Sequence, residues 1–249
     1  MARGFAVHIG RLAPIAALAL AHQASAGAPP SVPATAHFAG RTASVDTRRL
    51  ADWVVASGDA HGRPFIIVDK IAARVFAFDA HGVIHGSAPA LLGVARGDIS
   101  PPGIGTLRLA DITPAMRITP AGRFEASLGR DLGPRDILWV DYDAAISLHR
   151  VVTTNPKERR LARLASATIA DNRISYGCIN VPAGFYERVV LPLFKPANGL
   201  VYILPEAGPL DALLARLSSA GPPRPAPGQV APKGSDEAHG PAGAGQLSR

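Results

Sequence analysis

Phe65-Ile66-Ile67-Val68 and, shortly after it, Val75-Phe76-Ala77-Phe78 are the stretches whose reading decides the fold. Both are short runs of β-branched and aromatic residues, and Asp79-Ala80-His81-Gly82 then reads as a turn into Val83-Ile84. Working outward, Ile137-Leu138-Trp139-Val140, Ala145-Ile146-Ser147-Leu148 and Gly199-Leu200-Val201-Tyr202-Ile203-Leu204 have the same character. Helical signal is sparser. A short helix over Asp46–Ser57 is expected, capped by Asp46 and ended by Gly58, with Leu50, Trp53 and Val54 on one face. Further helices are expected over Lys157–Ser166, from Ala183 to about Leu191 behind Pro182, and over Asp211–Ser218. The expectation is a mainly β fold with a few short helices.

The flanks have other compositions. MARGFAVHIGRLAPIAALALAHQASA places Arg3 and Arg11 ahead of a short apolar stretch, Leu12 to Leu20, and ends in Ala24-Ser25-Ala26, the three parts of a secretory signal. Its apolar part is shorter than the roughly 20 residues that span a bilayer. An uncleaved anchor is the alternative reading. Residues 27–61 read as an Ala/Pro/Ser/Thr-rich linker carrying the first helix, and 62–206 as the domain. Residues 207–249 read as a short helix and a disordered Pro/Gly/Ala-rich tail. The formal charge is +7, and cleavage after Ala26 would remove Arg3 and Arg11 and leave +5. That charge is spread out except at Lys157–Arg163, which argues against a nucleic-acid footprint and reads first as a solvated helix face.

The chain has one cysteine, Cys178, in Ser175-Tyr176-Gly177-Cys178-Ile179-Asn180. An exported chain normally pairs its cysteines. A lone thiol is inert and buried, linked to another chain, or reactive. A thiol acts as a nucleophile in its thiolate form, which a nearby base or oriented amides can favour. A tight turn at Gly177 could aim the amides of Tyr176, Gly177 and Cys178 at an oxyanion. His149, ending a strand-like run, is the candidate base, and His85 is its rival. Asp141 and Asp143 are the carboxylates that a glycosidase reading would need, placed mid-strand and without a supporting motif. No His/Cys/carboxylate cluster has metal-ligand spacing, so no metal or cofactor is expected.

At these residues the chain resembles the L,D-transpeptidase catalytic domain of bacterial cell-wall enzymes. The resemblance rests on His149, a spacer and Ser175-Tyr176-Gly177-Cys178-Ile179-Asn180, with Tyr176 where the family usually has histidine. It extends to the paired runs from Ile66 to Phe78, to Thr119-Pro120-Ala121-Gly122-Arg123-Phe124, to Trp139–His149 and to Gly199–Leu204. The spacer, residues 150–174, is longer than usual, and Arg150 stands where a small residue is common. The resemblance implies a β-sandwich with few helices, Cys178 as nucleophile and His149 as proton donor and acceptor. It implies amides of Tyr176, Gly177 and Cys178 around an oxyanion, and Ser175 and Asn180 ordering the turn or touching substrate. It further implies peptidoglycan stem peptides as partners, no nucleic acid, no stable membrane insertion after signal cleavage, and a periplasmic location. The implied activity is 3–3 cross-linking with release of D-alanine. Carboxypeptidation or attachment of a protein to the wall would use the same acyl-enzyme, and a non-catalytic wall-binding protein is the alternative of another class. A flap over the cleft, formed by Arg159, Arg160 and Arg163 against anionic wall polymer, is the second reading of the basic run.

Overall fold

The computed structural model describes Met1, residues 34–130 and residues 135–221. Apart from Met1, the expected signal segment lies outside the described residues, as do residues 27–33 and the tail from 222 onward. The chain divides into Met1–Val32 and Pro33–Arg249, and the strands and helices belong to the second unit.

The β-prone runs form the strands expected of them: β1 (Phe65–Asp69), β2 (Arg74–Phe78), β3 (Ile84–Pro89), β6 (Asp136–Asp141), β7 (Ile146–Arg150) and β10 (Gly199–Ile203). Between them lie β4 (Leu92–Gly93), β5 (Gly122–Arg130), β8 (Arg173–Ser175) and β9 (Ile179–Val181). Eight strands make one sheet in the order β3-β2-β1-β10-β5-β6-β7-β9, and β4 pairs with β8. The fold is mainly β with a few short helices. β1 is buried along its whole length, which explains its continuous rather than alternating apolar run. Successive side chains of a strand point to opposite faces. Ile66 and Val68 therefore enter one cluster and Phe65 and Ile67 another.

The first cluster joins the two halves of the sheet. Ile66, Val75 and Val201 from one half share it with Leu138, Leu148, Ile179 and Val181 from the other. Helix α3 (Ala183–Phe185) runs on through a π-helical stretch (Tyr186–Val190) into α4 (Leu191–Phe194), adding Phe185, Tyr186, Val190 and Phe194. The second cluster is covered by α1 (Val45–Ser57) and α5 (Leu210–Ser219), through Leu50, Ala51 and Val54 and through Leu210, Leu213 and Leu217. These spacings put one apolar stripe of each helix on the sheet. The buried core therefore extends beyond residues 62–206 at both ends. Truncating the fully buried Leu50 to Ala would cost about 2–5 kcal/mol.

Local chemistry corrects two sequence readings. Ser44, not Asp46, is the N-cap of α1: its hydroxyl accepts the Thr47 amide at 3.1 Å and donates to Asp69 Oδ2 at 2.6 Å. Asp46 lies in the first turn, where a carboxylate favours the helix dipole without capping. Asp143 lies in the turn between β6 and β7 rather than mid-strand, and Asp141 ends β6 and accepts the Ala144 amide at 3.1 Å. Gly58 ends α1 as expected, at φ 68°.

Candidate functional site

Parallel pairing of β7 with β9 sets His149 opposite Asn180, and Leu148 opposite Ile179. Partners in a ladder share a face, so His149 and Asn180 stand together while Leu148 and Ile179 enter the core. Ser147 precedes His149 by one strand period and points the same way. Its hydroxyl lies 3.6 Å from Cys178 Sγ, and the Ala145 carbonyl is 3.7 Å from the same sulfur. Sequence reasoning missed Ser147, although the two-residue spacing from His149 was available as a signal.

His149 donates from Nδ1 to the Arg150 carbonyl at 2.7 Å, which leaves Nε2 as the nitrogen able to exchange a proton. Burial disfavours charge on the ring, but its hydrogen bond to Cys178 outweighs that and raises the imidazole pKa above the ordinary value. Burial likewise opposes a thiolate. The hydrogen bond from His149, its charge, and donors on Ser147 prevail, and the Cys178 pKa falls below the ordinary thiol value. The two shifts point in the directions of a thiolate–imidazolium pair. Cys178 and His149 are each, as whole residues, only partly buried.

The turn carrying Cys178 is held from several sides. Gly177 has φ 127°, and a Cβ there would lie 2.6 Å from Ile146 Cδ1 and 2.7 Å from the Ile118 carbonyl. Only glycine fits this turn. The buried hydroxyl of Thr119 donates to the Gly177 carbonyl at 2.8 Å and accepts the Gly93 amide at 2.9 Å. Lys70, wholly buried, donates to the Thr119 carbonyl at 2.9 Å and to Asp98 at 2.8 Å. Burial lowers the Lys70 pKa against the opposing pull of Asp98 and Glu206. The Thr119–Phe124 stretch thus begins as a clamp on the cysteine turn.

The other candidate residues divide. Ser175 Oγ donates to the Cys178 carbonyl at 2.6 Å and accepts the Gly177 amide at 3.1 Å, so it orders the turn and occupies one of the three amides considered for an oxyanion. Asn180 is 1% exposed and donates to the Cys178 carbonyl at 3.3 Å. Tyr176 lies beneath the Arg117 guanidinium, whose carbon is 3.7 Å from the ring centre. His85 stands on β3, at the opposite edge of the sheet from β9, beside Asp79. It is not near the thiol. Arg160 and Arg163 do not form a solvated face: Arg160 bonds Asn180 and Glu158, and Arg163 bonds the Glu158 and Asp171 carbonyls. A cleft of about 1000 Å³ is lined by Ile118 and Ala144, next in sequence to the clamp and to the carbonyl facing the thiol, but not by Cys178 or His149.

Among the described residues no group of His, Cys, Asp and Glu could hold a metal ion, and no helix is long and apolar enough to cross a membrane. No family model and no curated protein matches the sequence. Solved structures do resemble it. An L,D-transpeptidase in complex with imipenem is 13% identical, with a TM-score of 0.33, over 57% of this chain and 58% of that one. The helical cell shape determining protein Pgp2 from Campylobacter jejuni is 16% identical, with a TM-score of 0.34, over 63% and 53%. An L,D-transpeptidase from Xylanimonas cellulosilytica is 15% identical, with a TM-score of 0.33, over 57% and 60%. The chain spans less than two thirds of the length of each.

Proposed function

We propose that this chain is an exported cysteine acyltransferase of the L,D-transpeptidase type, acting on peptidoglycan stem peptides. The observation that carries the reading is the Cys178 thiol beside His149 and Ser147, in a residue that is not fully buried, with thiol and imidazole pKa values shifted toward the ion pair. In the first half-reaction the Cys178 thiolate attacks the carbonyl at the L-centre of meso-diaminopimelate in a tetrapeptide stem. The oxyanion forms beside the amides of Tyr176 and Cys178, the Gly177 amide being held by Ser175. The C–N bond to D-alanine breaks, and the leaving amine takes its proton from His149. A side-chain amine of a second stem then attacks the thioester and gives a proton to His149. The C–S bond breaks, and a 3–3 cross-link and the thiolate remain.

Incubation with a disaccharide-tetrapeptide, followed by mass spectrometry of protein and products, tests this. An acyl-enzyme on Cys178 with free D-alanine and dimers supports transpeptidation. Tripeptide without dimers would move the reading to carboxypeptidation. Neither acyl-enzyme nor D-alanine, from folded protein, sinks it and favours a non-catalytic wall-binding role.

A further inference from the structure

Arg160 belongs to a basic run that reads from sequence as a solvated face, yet its side chain is 14% exposed. Nε meets Glu158 at 2.5 Å and Nη1 donates to Asn180 Oδ1 at 2.8 Å. A guanidinium has donors and no acceptor, so the Asn180 atom facing it must be the carbonyl oxygen. The amide nitrogen then faces the other way, 3.3 Å from the Cys178 carbonyl and 3.5 Å from His149 Nε2. The Cys178 carbonyl accepts and cannot donate, so it requires the same orientation. Two independent partners therefore fix an amide whose direction is otherwise ambiguous.

The groups facing His149 are Cys178 from the turn, the Arg150 carbonyl from its own strand, Asn180 from β9 and Arg160 from α2 (Arg160–Ala165). We infer that Arg160 is a positioning residue: acting through Asn180, it holds His149 with Nδ1 protonated and Nε2 turned to take a proton from the incoming amine. An amide N–H beside Nε2 favours the lone pair there over a second N–H. The Arg160 charge acts in the same direction and lowers the imidazole pKa against the stronger pull of the thiolate. Without Arg160, only the longer 3.3 Å bond to the Cys178 carbonyl opposes a turn of the Asn180 oxygen to Nε2, which would lock the proton on. The assignment rests on the acyl-transfer reading of the site, in which His149 must release that proton and take up another.

The test uses the full chain and three variants, Arg160→Met, Arg160→Lys and Asn180→Asp, with the His149 ring titrated by NMR and a melting curve for each. Arg160→Met should move the His149 midpoint upward, and Arg160→Lys, which keeps a charge and a donor, should return it toward wild type. Asn180→Asp replaces the amide N–H by a negatively charged acceptor and should move it upward by charge as well, so a midpoint that does not rise there overturns the proposal even if Arg160→Met does not fold. A midpoint that stays put or falls in the folded variants overturns the proposal, even if melting drops, since a mere brace for the loop would lower stability alone. Failure of the wild type to form an acyl-enzyme would overturn the acyl-transfer reading instead, and the titration would still judge Arg160.

Discussion

Thr119→Val isolates the clamp on the cysteine turn. Valine has nearly the shape of threonine but lacks the hydroxyl, so the substitution removes two hydrogen bonds without opening a cavity. Both lost partners are backbone groups: the Gly177 carbonyl at 2.8 Å and the Gly93 amide at 2.9 Å. Thr119 and both glycines are buried, so water cannot readily replace the hydroxyl. An unsatisfied buried backbone group costs about 1–3 kcal/mol, so the pair should cost roughly 2–6 kcal/mol. For a domain of this size each kcal/mol lowers the melting temperature by about 2–4 °C, giving a fall of roughly 4–24 °C. Thr119→Ser keeps the hydroxyl and loses a methyl group, which should cost about 1 kcal/mol. Melting followed by circular dichroism measures the difference. Iodoacetamide labelling of Cys178 in the folded variant shows whether the turn has moved the thiol away from His149. A Thr119→Val protein that melts within about 1 °C of wild type would refute the reasoning, because it would mean that the hydroxyl holds neither β4 nor the cysteine turn in place.

Replacing His149 by Ala should slow Cys178 labelling at neutral pH by roughly tenfold, as the thiol loses the partner that lowers its pKa, whereas His85→Ala should leave the rate unchanged; equal effects would refute the pairing. The pH profile has a definite sign. The lowered thiol pKa extends reactivity below the pH at which a free peptide thiol loses it, and the raised His149 pKa keeps the imidazolium on the alkaline side until pH passes through it. A single ionisation at the ordinary thiol value, seen in stopped-flow labelling, would contradict this. Lys70→Met should destabilise by about 3–5 kcal/mol in urea titrations, since it leaves the Asp98 carboxylate without its buried cation and the Thr119 carbonyl without a donor. Stability near wild type would show that the Asp98 contacts suffice.

The strand runs and the stop at Gly58 were legible, and Cys178 and His149 could be singled out as candidates, because each depends on neighbours in sequence: β-propensity over a few residues, a left-handed glycine, a lone thiol in a glycine turn. The capping of α1 was misread because Asp46 and Ser44 both suit a cap, and Asp69 at the end of β1 favours Ser44. β5 and β9 escaped notice because one carries polar residues along its length and the other is very short. Tertiary structure alone brought the candidate residues together. Parallel pairing of β7 with β9 is non-local, and it is this register that sets His149 beside Asn180 and leaves His85 at the far edge. The direction of Arg160 was equally illegible. A run of arginines looks solvated when read along the chain, and only the fold supplies the buried acceptor, Asn180 Oδ1, that makes an inward guanidinium favourable.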